Sequence, residues 1–295
     1  MNARWLRLRQ KSALGIVENP KNRFRCDAGV WSKMKLGQAV TVSLMLLLFV
    51  SLQGGSQIAS SLVILHPEGG GHGILSNDSL TWSGYAVLAP QGSVTNVSGS
   101  WVVPSVQSCG QTLSGVSLWV GMDGYNSSTV EQVGTDSYCY HGAASYYAWS
   151  EVYPSPSVTN PTIKVNPGDV VFGEVSYSDR RFNLTLVDLR SGESLSRVLP
   201  VSTAQRGSAE WVVEDPSTTS GPMQLANFGS AYFGNDLTGM KMPAMATISG
   251  HTGPVGSFGG SLIAINMVTQ SMAALASPTP ISMDGTSFAV DQAGH

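Results

Sequence analysis

Short runs of alternating apolar and polar residues, separated by turns, are the feature that most constrains the fold of this chain. From residue 81 onward the alternation recurs, for example in 97–103 and 116–120, and 170–177 is a further apolar-rich run entered through a turn. Residues 182–186 and 195–199 flank a turn, which is the pattern of a β-hairpin. Many short strands joined by regular turns predict an all-β sandwich or barrel.

Helical periodicity is nearly absent after residue 81, and the single weak candidate for a helix is Asn266–Ala276. The region 81–295 is about the size of one large sandwich, so we expect one domain there. The stretch 277–295 contains Pro, Gly and Ser and has no assignment from pattern alone.

The first 60 residues differ from the rest in charge. They hold nine of the 16 Lys and Arg and two of the 19 acids, so the remainder carries 16−9 = 7 bases and 19−2 = 17 acids, a formal −10. An apolar run, Ala39–Leu52, follows Lys33 and Lys35, which predicts an export signal or an uncleaved membrane anchor in a leader 1–60. Residues 61–80, with Gly69–Gly71, are interpreted as a linker. We therefore expect a secreted or anchored domain.

Partners and cofactors are limited by the same composition. A domain with −10 formal charge is unsuited to nucleic acid, because phosphate contacts need clustered Lys and Arg. The five His residues show no metal-ligand spacing and no phosphate-binding or dinucleotide motif is evident, so we expect no metal and no cofactor. Cys109 and Cys139 are the two cysteines of the exported part, which predicts a disulfide between them.

Strand parity separates two faces in the segment 208–215. Trp211 and Val213 share one face, suited to a core, whereas Glu210 and Val212 share the other. In 147–153 the odd positions, including Trp149 and Glu151, likewise share a face. On residues alone, the simpler interpretation is that Glu210 is a solvated sheet residue and Trp149 a core aromatic, since exposed acids on antiparallel sheets are ordinary.

Several segments, in order and with similar spacing, resemble the signature segments of the glutamic peptidases (eqolisins). They are WVGMDG at 119–124, VEQVGTDS at 130–137, YYAWSEVYP at 146–154 and AEWVVED at 209–215, with WSGY at 82–85 and WVVP at 101–104 ahead of them. Because several independent segments agree, the resemblance is specific over about residues 82–215.

The resemblance implies an antiparallel β-sandwich of two packed, bent sheets, similar to concanavalin or jelly-roll folds, with a substrate cleft on the concave sheet. It implies Gln132 and Glu210 as the catalytic pair of an acid-active endopeptidase acting on polypeptides as a monomer. One departure is Tyr147, where fungal members carry an acid. The cleft residues that the resemblance implies are Trp82, Gly84, Trp119, Asp123, Asp136, Trp149 and Glu151.

Three other interpretations remain open from sequence. A carbohydrate-binding protein or a glycosidase could use exposed Trp residues with Glu151 and Glu210 as a carboxylate pair. A non-catalytic surface protein could retain the same sandwich. The segment Gly285–Ala289 superficially resembles the serine segment of subtilases, although a triad also needs positioned His and Asp partners.

Overall fold

The computed structural model describes residues 74–155, 157–159, 163–218 and 221–294, and nearly all of their regular structure is β-strand. The strands are β1 (Leu75–Ser79), β2 (Trp82–Leu88), β3 (Val94–Val102), β4 (Ser114–Met122), β5 (Val130–Tyr140), β6 (Ala143–Tyr153), β7 (Val158–Thr159), β8 (Val170–Ser178), β9 (Arg181–Asp188), β10 (Ser194–Leu199), β11 (Ser208–Glu214), β12 (Ser217–Thr218), β13 (Gly221–Pro222), β14 (Gln224–Leu225), β15 (Ser230–Gly234), β16 (Met245–Ile248), β17 (His251–Pro254), β18 (Leu262–Val268), β19 (Ala274–Pro278) and β20 (Ser287–Gln292). One short helix, α1 (Asn235–Thr238), and a 3₁₀ segment, Val255–Ser261, complete the elements.

The strands form two layers that are joined along one edge. The first layer runs β1–β18–β2–β11–β4–β5–β6–β7, and the second contains β17–β16–β3–β8–β9–β10. Strands β19, β20 and β15 connect β18 of the first layer to β3 of the second. All these pairings are antiparallel except β1 with β18, so the predicted antiparallel sandwich is confirmed.

The core lies between the layers and is built around two fully buried indoles. Trp101 of β3 donates its Nε1–H to Thr135 Oγ1 of β5 at 2.9 Å, and Trp211 of β11 donates to the carbonyl of Ser98 at 2.8 Å. Both hydrogen bonds cross from one layer to the other, so each buried polar N–H is satisfied while its ring fills the core. These contacts fix how the two sheets sit against each other.

The strands expected at 116–120 and 170–177 fall within β4 and β8, the strand expected at 97–103 overlaps β3, which ends at Val102, and the expected hairpin is β9–β10. The weak helix prediction at Asn266–Ala276 is wrong, because this stretch contains the end of β18, a turn and the start of β19. Pairing of this stretch with β1 and β20, and of β18 with β19, holds it extended, and such tertiary pairing outweighs a weak local period.

The ends of the domain also differ from expectation. Residues 75–79, which lie inside the expected linker, form β1 and pair in parallel with β18. The stretch 277–295, unassigned from sequence, contributes β20 to the edge that joins the layers. The expected disulfide between Cys109 and Cys139 is present and ties β5 to the loop before β4.

Three features of the sequence analysis lie outside the described residues: the leader 1–60, its apolar run Ala39–Leu52 and the linker portion 61–73. Within the part of the chain that the structure describes, no helix combines the length and the apolar character needed to cross a membrane.

Candidate active site

Four strands of the first layer place one row of side chains on the face that points away from the core. Glu210 of β11 is paired with Gly121 of β4, Gly121 with Gln132 of β5, and Gln132 with Glu151 of β6. Residues in direct register share a face. Two strand spacings of about 4.8 Å put the Cα atoms of Glu210 and Gln132 about 10 Å apart, so their side chains rise from the same face on either side of Gly121.

Gly121 leaves open space between the positions of these two side chains. A Cβ atom at this position would lie 3.1 Å from Gln132 Cβ and 3.0 Å from the Trp119 ring. Any larger residue would therefore push Gln132 and Trp119 away and would stand between Gln132 and Glu210. The glycine in the segment 119–124 is what lets a carboxyl and a carboxamide from separate strands face one another.

Gln132 is held by a single strong contact. Its Nε2 donates a hydrogen bond of 2.6 Å to Glu151 Oε2. Its Oε1 and both carboxyl oxygens of Glu210 are buried and accept no hydrogen bond from any described residue. The site therefore presents one remaining N–H of Gln132, the carboxamide oxygen of Gln132 and the carboxyl group of Glu210 in an enclosed space, which is the chemistry needed to orient a small polar reactant.

Burial sets the protonation of Glu210. Removal from solvent raises the pKa of its carboxyl well above the usual 4.5, and the nearby Ser208 side chain and Tyr125 backbone amide oppose this only in part. The loop 123–129 contributes to that burial, because Tyr125 packs against Ala86 and the neighbouring Ile263. The Tyr125 hydroxyl in turn accepts a hydrogen bond of 2.5 Å from Asn77 Nδ2 of β1.

Three indoles line the same face beyond this row, with Trp119 and Trp149 in the next row and Trp82 in the row after it. Trp82 and Trp119 meet edge to face with ring centroids 4.9 Å apart, and Trp149 lies over Gly134, where a Cβ would be 2.5 Å from its ring. With Val130 and Val212 they form an apolar cluster beside the row of Glu210 and Gln132. This cluster limits water on one flank of the site.

Each of two partly buried acids anchors an indole. Trp119 Nε1 donates to Glu214 Oε2 at 2.7 Å, and Trp149 Nε1 donates to Asp136 Oδ1 at 2.7 Å. Burial raises the pKa of Glu214 to about 7 and raises that of Asp136, although the hydrogen bonds to Asp136 oppose the shift. These acids therefore act first as acceptors that fix the orientation of the indole rings.

Glycine is required at position 84 by the backbone itself. Gly84 has φ +140°, and a Cβ there would lie 2.2 Å from the carbonyl oxygen of Trp211. Its partner in register is Val212 of β11, next to Glu210 on the same face. Of the nine residues expected at the site, eight share this face: Gln132, Glu210, Trp82, Gly84, Trp119, Asp136, Trp149 and Glu151.

Asp123 is the expected cleft residue that the structure places elsewhere. Its carboxylate accepts hydrogen bonds of 2.7, 2.8 and 2.8 Å from the backbone amides of Gln205, Arg206 and Gly207. These residues lead directly into β11, which carries Glu210. Asp123 thus fixes the start of that strand, because a carboxylate that accepts three amide hydrogen bonds holds the loop in one conformation.

Two residues of the site were not assigned from sequence. Glu214 lies four positions after Glu210 on the same strand face, so strand parity was the signal that could have identified it. Tyr138 lies two positions after Asp136 on the same face of β5 and donates its hydroxyl to Asp136 Oδ2 at 2.9 Å, so parity within that strand was the signal here as well.

The serine segment Gly285–Ala289 has a structural role in the described chain. Ser287 is buried in β20, and its hydroxyl accepts a hydrogen bond of 2.8 Å from the backbone amide of Asp236 in helix α1. A serine occupied in this way, on the strand that joins the two layers, offers no support for a subtilase-like triad.

Glu131, next to Gln132 on β5, points the other way and is an unusual buried acid. Neither of its carboxyl oxygens has a hydrogen-bond partner among the described residues, and the side chain is fully buried. Burial, with a smaller contribution from the charge of Asp123, raises its pKa to about 8. Folding therefore favours the protonated form of Glu131.

We expect Glu131→Gln to stabilise the protein near neutral pH and to have little effect near pH 4. The pKa of Glu131 is higher in the folded protein than in the unfolded chain, so its contribution to the free energy of unfolding is fully present below about pH 4.5. That contribution is lost as the pH rises toward about 8. Melting temperatures measured at pH 4 and pH 7 check this. Glu193→Gln, at an exposed acid, is the matched control, and an unchanged pH dependence in Glu131→Gln would contradict the account.

Comparisons of the sequence with known proteins all identify similarity to one family of peptidases. Residues 80–275 match the sequence profile of the Peptidase A4 family. The chain is 31% identical over 181 residues to Aspergillopepsin-2 of Aspergillus niger, covering 53% of this chain and 63% of that protein. It is 32% identical over 139 residues to scytalidopepsin B of Scytalidium lignicola, covering 45% of this chain and 51% of that protein. The matched regions thus span less than two thirds of these relatives.

Solved structures of glutamic peptidases have a fold similar to that of this chain. A scytalido-glutamic peptidase bound to a transition state analog inhibitor superposes with a TM-score of 0.59 at 23% identity, covering 72% of this chain and 98% of that one. The aspergilloglutamic peptidase from Aspergillus niger superposes with a TM-score of 0.50 at 27% identity, covering 61% of this chain and 99% of that one.

Proposed function

The chain belongs to the Peptidase A4 family, as its resemblance to the glutamic peptidases predicted, and from this premise we propose that it is an acid-active endopeptidase. The observation that carries the proposal is the register Glu210–Gly121–Gln132, which directs a carboxyl and a carboxamide to one point on the sheet. The substrate class that fits is the polypeptide, since this pair matches the needs of amide hydrolysis.

The proposed reaction consumes one water molecule, and Glu210 carries the proton from that water to the leaving amine. Ionised Glu210 takes a proton from the water, and the water oxygen bonds to the scissile carbonyl carbon. Gln132 Oε1 orients the water, and the Nε2–H that is not bound to Glu151 donates to the developing oxyanion. Glu210 then returns the proton to the amide nitrogen, the C–N bond breaks, and a carboxylic acid and an amine leave.

Glu151 is proposed as a positioning residue for this step. Its carboxylate accepts from Gln132 Nε2 at 2.6 Å and so determines which way the carboxamide is turned. Burial raises the pKa of Glu151, and the hydrogen bond from Gln132 offsets only part of this rise. The orientation leaves Gln132 Oε1 facing the buried space shared with Glu210.

An ordinary glutamate carboxyl is ionised in mild acid, but the pKa of Glu210 is raised and its protonation differs. In the enclosed arrangement Glu210 is a neutral acid over that range, because burial disfavours its charge. We propose that loop 123–129 opens to admit substrate and water, which lowers the pKa and lets Glu210 act as the base. A base with a moderately raised pKa is also a stronger proton acceptor.

Activity at acid pH is supported by the buried carboxyls as a group. Burial raises the pKa of Glu131 to about 8 and those of Glu214 and Asp215 to about 7, so in weak acid all three stay neutral. Within the described ranges the one ion pair joins Arg190 to Asp169, which leaves these carboxyls without a cationic partner. Their ionisation at higher pH would destabilise the fold.

We further propose that the protein is secreted as a monomer, with the apolar run Ala39–Leu52 acting as its export signal. An uncleaved anchor would be its only link to a membrane. No metal or cofactor enters the proposed reaction. In the described portion of the chain, no group of three or more His, Cys, Asp or Glu residues is arranged so that it could hold a metal ion.

A glycosidase would need Glu151 and Glu210 as its carboxylate pair. These residues are three strands apart in register, with Gly121 and Gln132 between them, which separates their Cα atoms by about 14 Å. Glu151 is also bound to Gln132. Because Gln132 lies between the two acids and holds Glu151, this arrangement favours amide hydrolysis over a mechanism in which two carboxyl groups flank a sugar bond.

The test is incubation of the purified full-length protein with an unfolded polypeptide from about pH 3 to pH 8. We expect new internal cleavage products in acid, much less cleavage at pH 8, and no inhibition by pepstatin, which mimics the intermediate of an aspartate pair. Mass spectrometry of the products identifies the cut bonds. Absence of cleavage at every pH would support a non-catalytic protein, and release of sugars from polysaccharide instead would support the glycosidase interpretation.

A further inference from the structure

The cleft face continues along β5 and β6 beyond the residues used in the proposed reaction. In register, Asp136 of β5 pairs with Tyr147 of β6, and Tyr138 pairs with Ser145. Tyr138 and Tyr147 therefore share the face of Gln132, and their ring centroids lie 6.2 Å apart. We call this pair the tyrosine platform.

One ring of the tyrosine platform is rigidly held. The Tyr138 hydroxyl donates to Asp136 Oδ2 at 2.9 Å. Below the ring lies Gly115, where a Cβ would be 2.7 Å from two ring carbons, so the ring rests directly on the backbone of β4. A ring fixed by a hydrogen bond and by close packing loses little entropy on binding, which makes it a preorganised surface.

The other ring is open to solvent. Tyr147 is 37% exposed and makes no hydrogen bond to any described residue. It lies four positions from Glu151 on β6, which is about 13 Å along the strand. An extended peptide advances by about the same rise per residue, so the platform lies about four residues from the bond held between Gln132 and Glu210.

The charges around the platform select the kind of side chain it accepts. Asp136 is the neighbouring acid, and both of its oxygens are occupied: Oδ1 by Ser117 and Trp149, and Oδ2 by Tyr138. Glu214 of β11, the other acid in this row, accepts a hydrogen bond from Trp119 Nε1 at 2.7 Å. Both acids are thus engaged by neutral donors of the protein rather than held open for a cationic side chain. Two tilted aromatic rings favour an aromatic or large apolar side chain, which they contact through their faces and edges.

We propose that Tyr138 and Tyr147 form a specificity subsite for an aromatic or large apolar side chain of the polypeptide, about four residues from the cleaved bond. The inference rests on the proposed function and narrows its substrate class. Tyr147 provides the exposed contact, and Tyr138 provides the fixed ring against which the side chain and Tyr147 pack.

The test uses peptides that are cleaved at one known bond and differ only in having Phe or Ser at the third, fourth or fifth residue on either side. At one of these positions the full-length protein is expected to show a kcat/KM about 5- to 10-fold higher for Phe than for Ser. Tyr147→Ala should reduce that ratio to about 1 without changing the melting temperature, because the side chain is exposed. Tyr232→Ala, at a similarly exposed tyrosine on β15, is the matched control and should keep the ratio.

Two results separate failure of the subsite from failure of the proposed function. Cleavage of every peptide at equal rates, or a Phe preference that survives in Tyr147→Ala, would overturn the subsite alone. No cleavage of any peptide by the wild-type protein would overturn the proposed function and the subsite with it. Tyr138→Phe adds a check on the fixed ring: it keeps the ring but loses the hydrogen bond to Asp136, and a smaller ratio is expected.

Discussion

Glu210→Gln should lower kcat on an unfolded polypeptide by about 10²- to 10⁴-fold, the range attributed to a well-placed general acid-base group. Glutamine keeps the shape of the side chain but can neither accept the proton from water nor return it to the leaving amine. The side chain is fully buried with both oxygens unpaired, so the substitution leaves the packing unchanged. Initial rates of peptide cleavage in acid provide the measurement.

Stability distinguishes loss of chemistry from loss of fold in this variant. Because the folded-state pKa of Glu210 is raised, the neutral amide should leave the melting temperature unchanged in acid and raise it near neutral pH. Glu193→Gln makes the same chemical change at an exposed acid and should retain wild-type activity. Activity of Glu210→Gln within about tenfold of wild type would remove Glu210 from the reaction.

Gln132→Ala is expected to lower kcat by about 10²- to 10³-fold, the effect of removing one oxyanion donor. The variant loses the N–H aimed at the oxyanion and the oxygen that orients the water. It also leaves Glu151 without its 2.6 Å donor. Because this interaction strengthens in the transition state, we expect kcat to fall much more than KM changes.

Two comparisons sharpen the Gln132 experiment. Gln224→Ala removes an exposed glutamine from β14 and should leave kcat unchanged. Gln132→Glu places a third acid beside Glu151 and Glu210, where like charges couple their titrations, and should also be inactive. Full peptidase activity in Gln132→Glu would show that the carboxamide is dispensable, contrary to the proposal.

Strand parity explains how much of this site could be predicted from residues alone. Alternation in 208–215 separated Glu210 from Trp211, and the structure places Trp211 in the core and Glu210 on the opposite face. Parity within one strand gives no information about register between strands. The alignment of Glu210 with Gly121 and of Gly121 with Gln132 is a long-range property, and the expectation that Gln132 and Glu210 meet came from the ordered family motifs.

Asp123 and Asn266 illustrate what local pattern cannot predict. The contacts of Asp123 are to amides more than 80 positions away, and these determine its role at the start of β11. Asn266 pairs with Asp78 in a parallel strand pair nearly two hundred residues apart, which holds an apparently helical segment extended. Both outcomes depend on tertiary contacts that a window of neighbouring residues does not contain.

Burial is the other property that the sequence did not provide. An acid on an outward sheet face is expected to be solvated, with an ordinary pKa. Loop 123–129 folds beside Glu210 through Tyr125, and the resulting burial raises the pKa of that carboxyl. A loop of polar residues and glycine gives no local signal that it will cover a strand.

In the proposed reaction, Gln132 and Glu210 act on the same peptide bond above Gly121. A crystal structure of Glu210→Gln with an uncleaved peptide substrate tests it most directly. We predict that the carbonyl oxygen of the scissile bond lies within about 3 Å of Gln132 Nε2, with the side chain at position 210 on the other side of the same carbonyl. A peptide bound with that carbonyl beyond the reach of either side chain, or on the opposite face of the sheet, would contradict it.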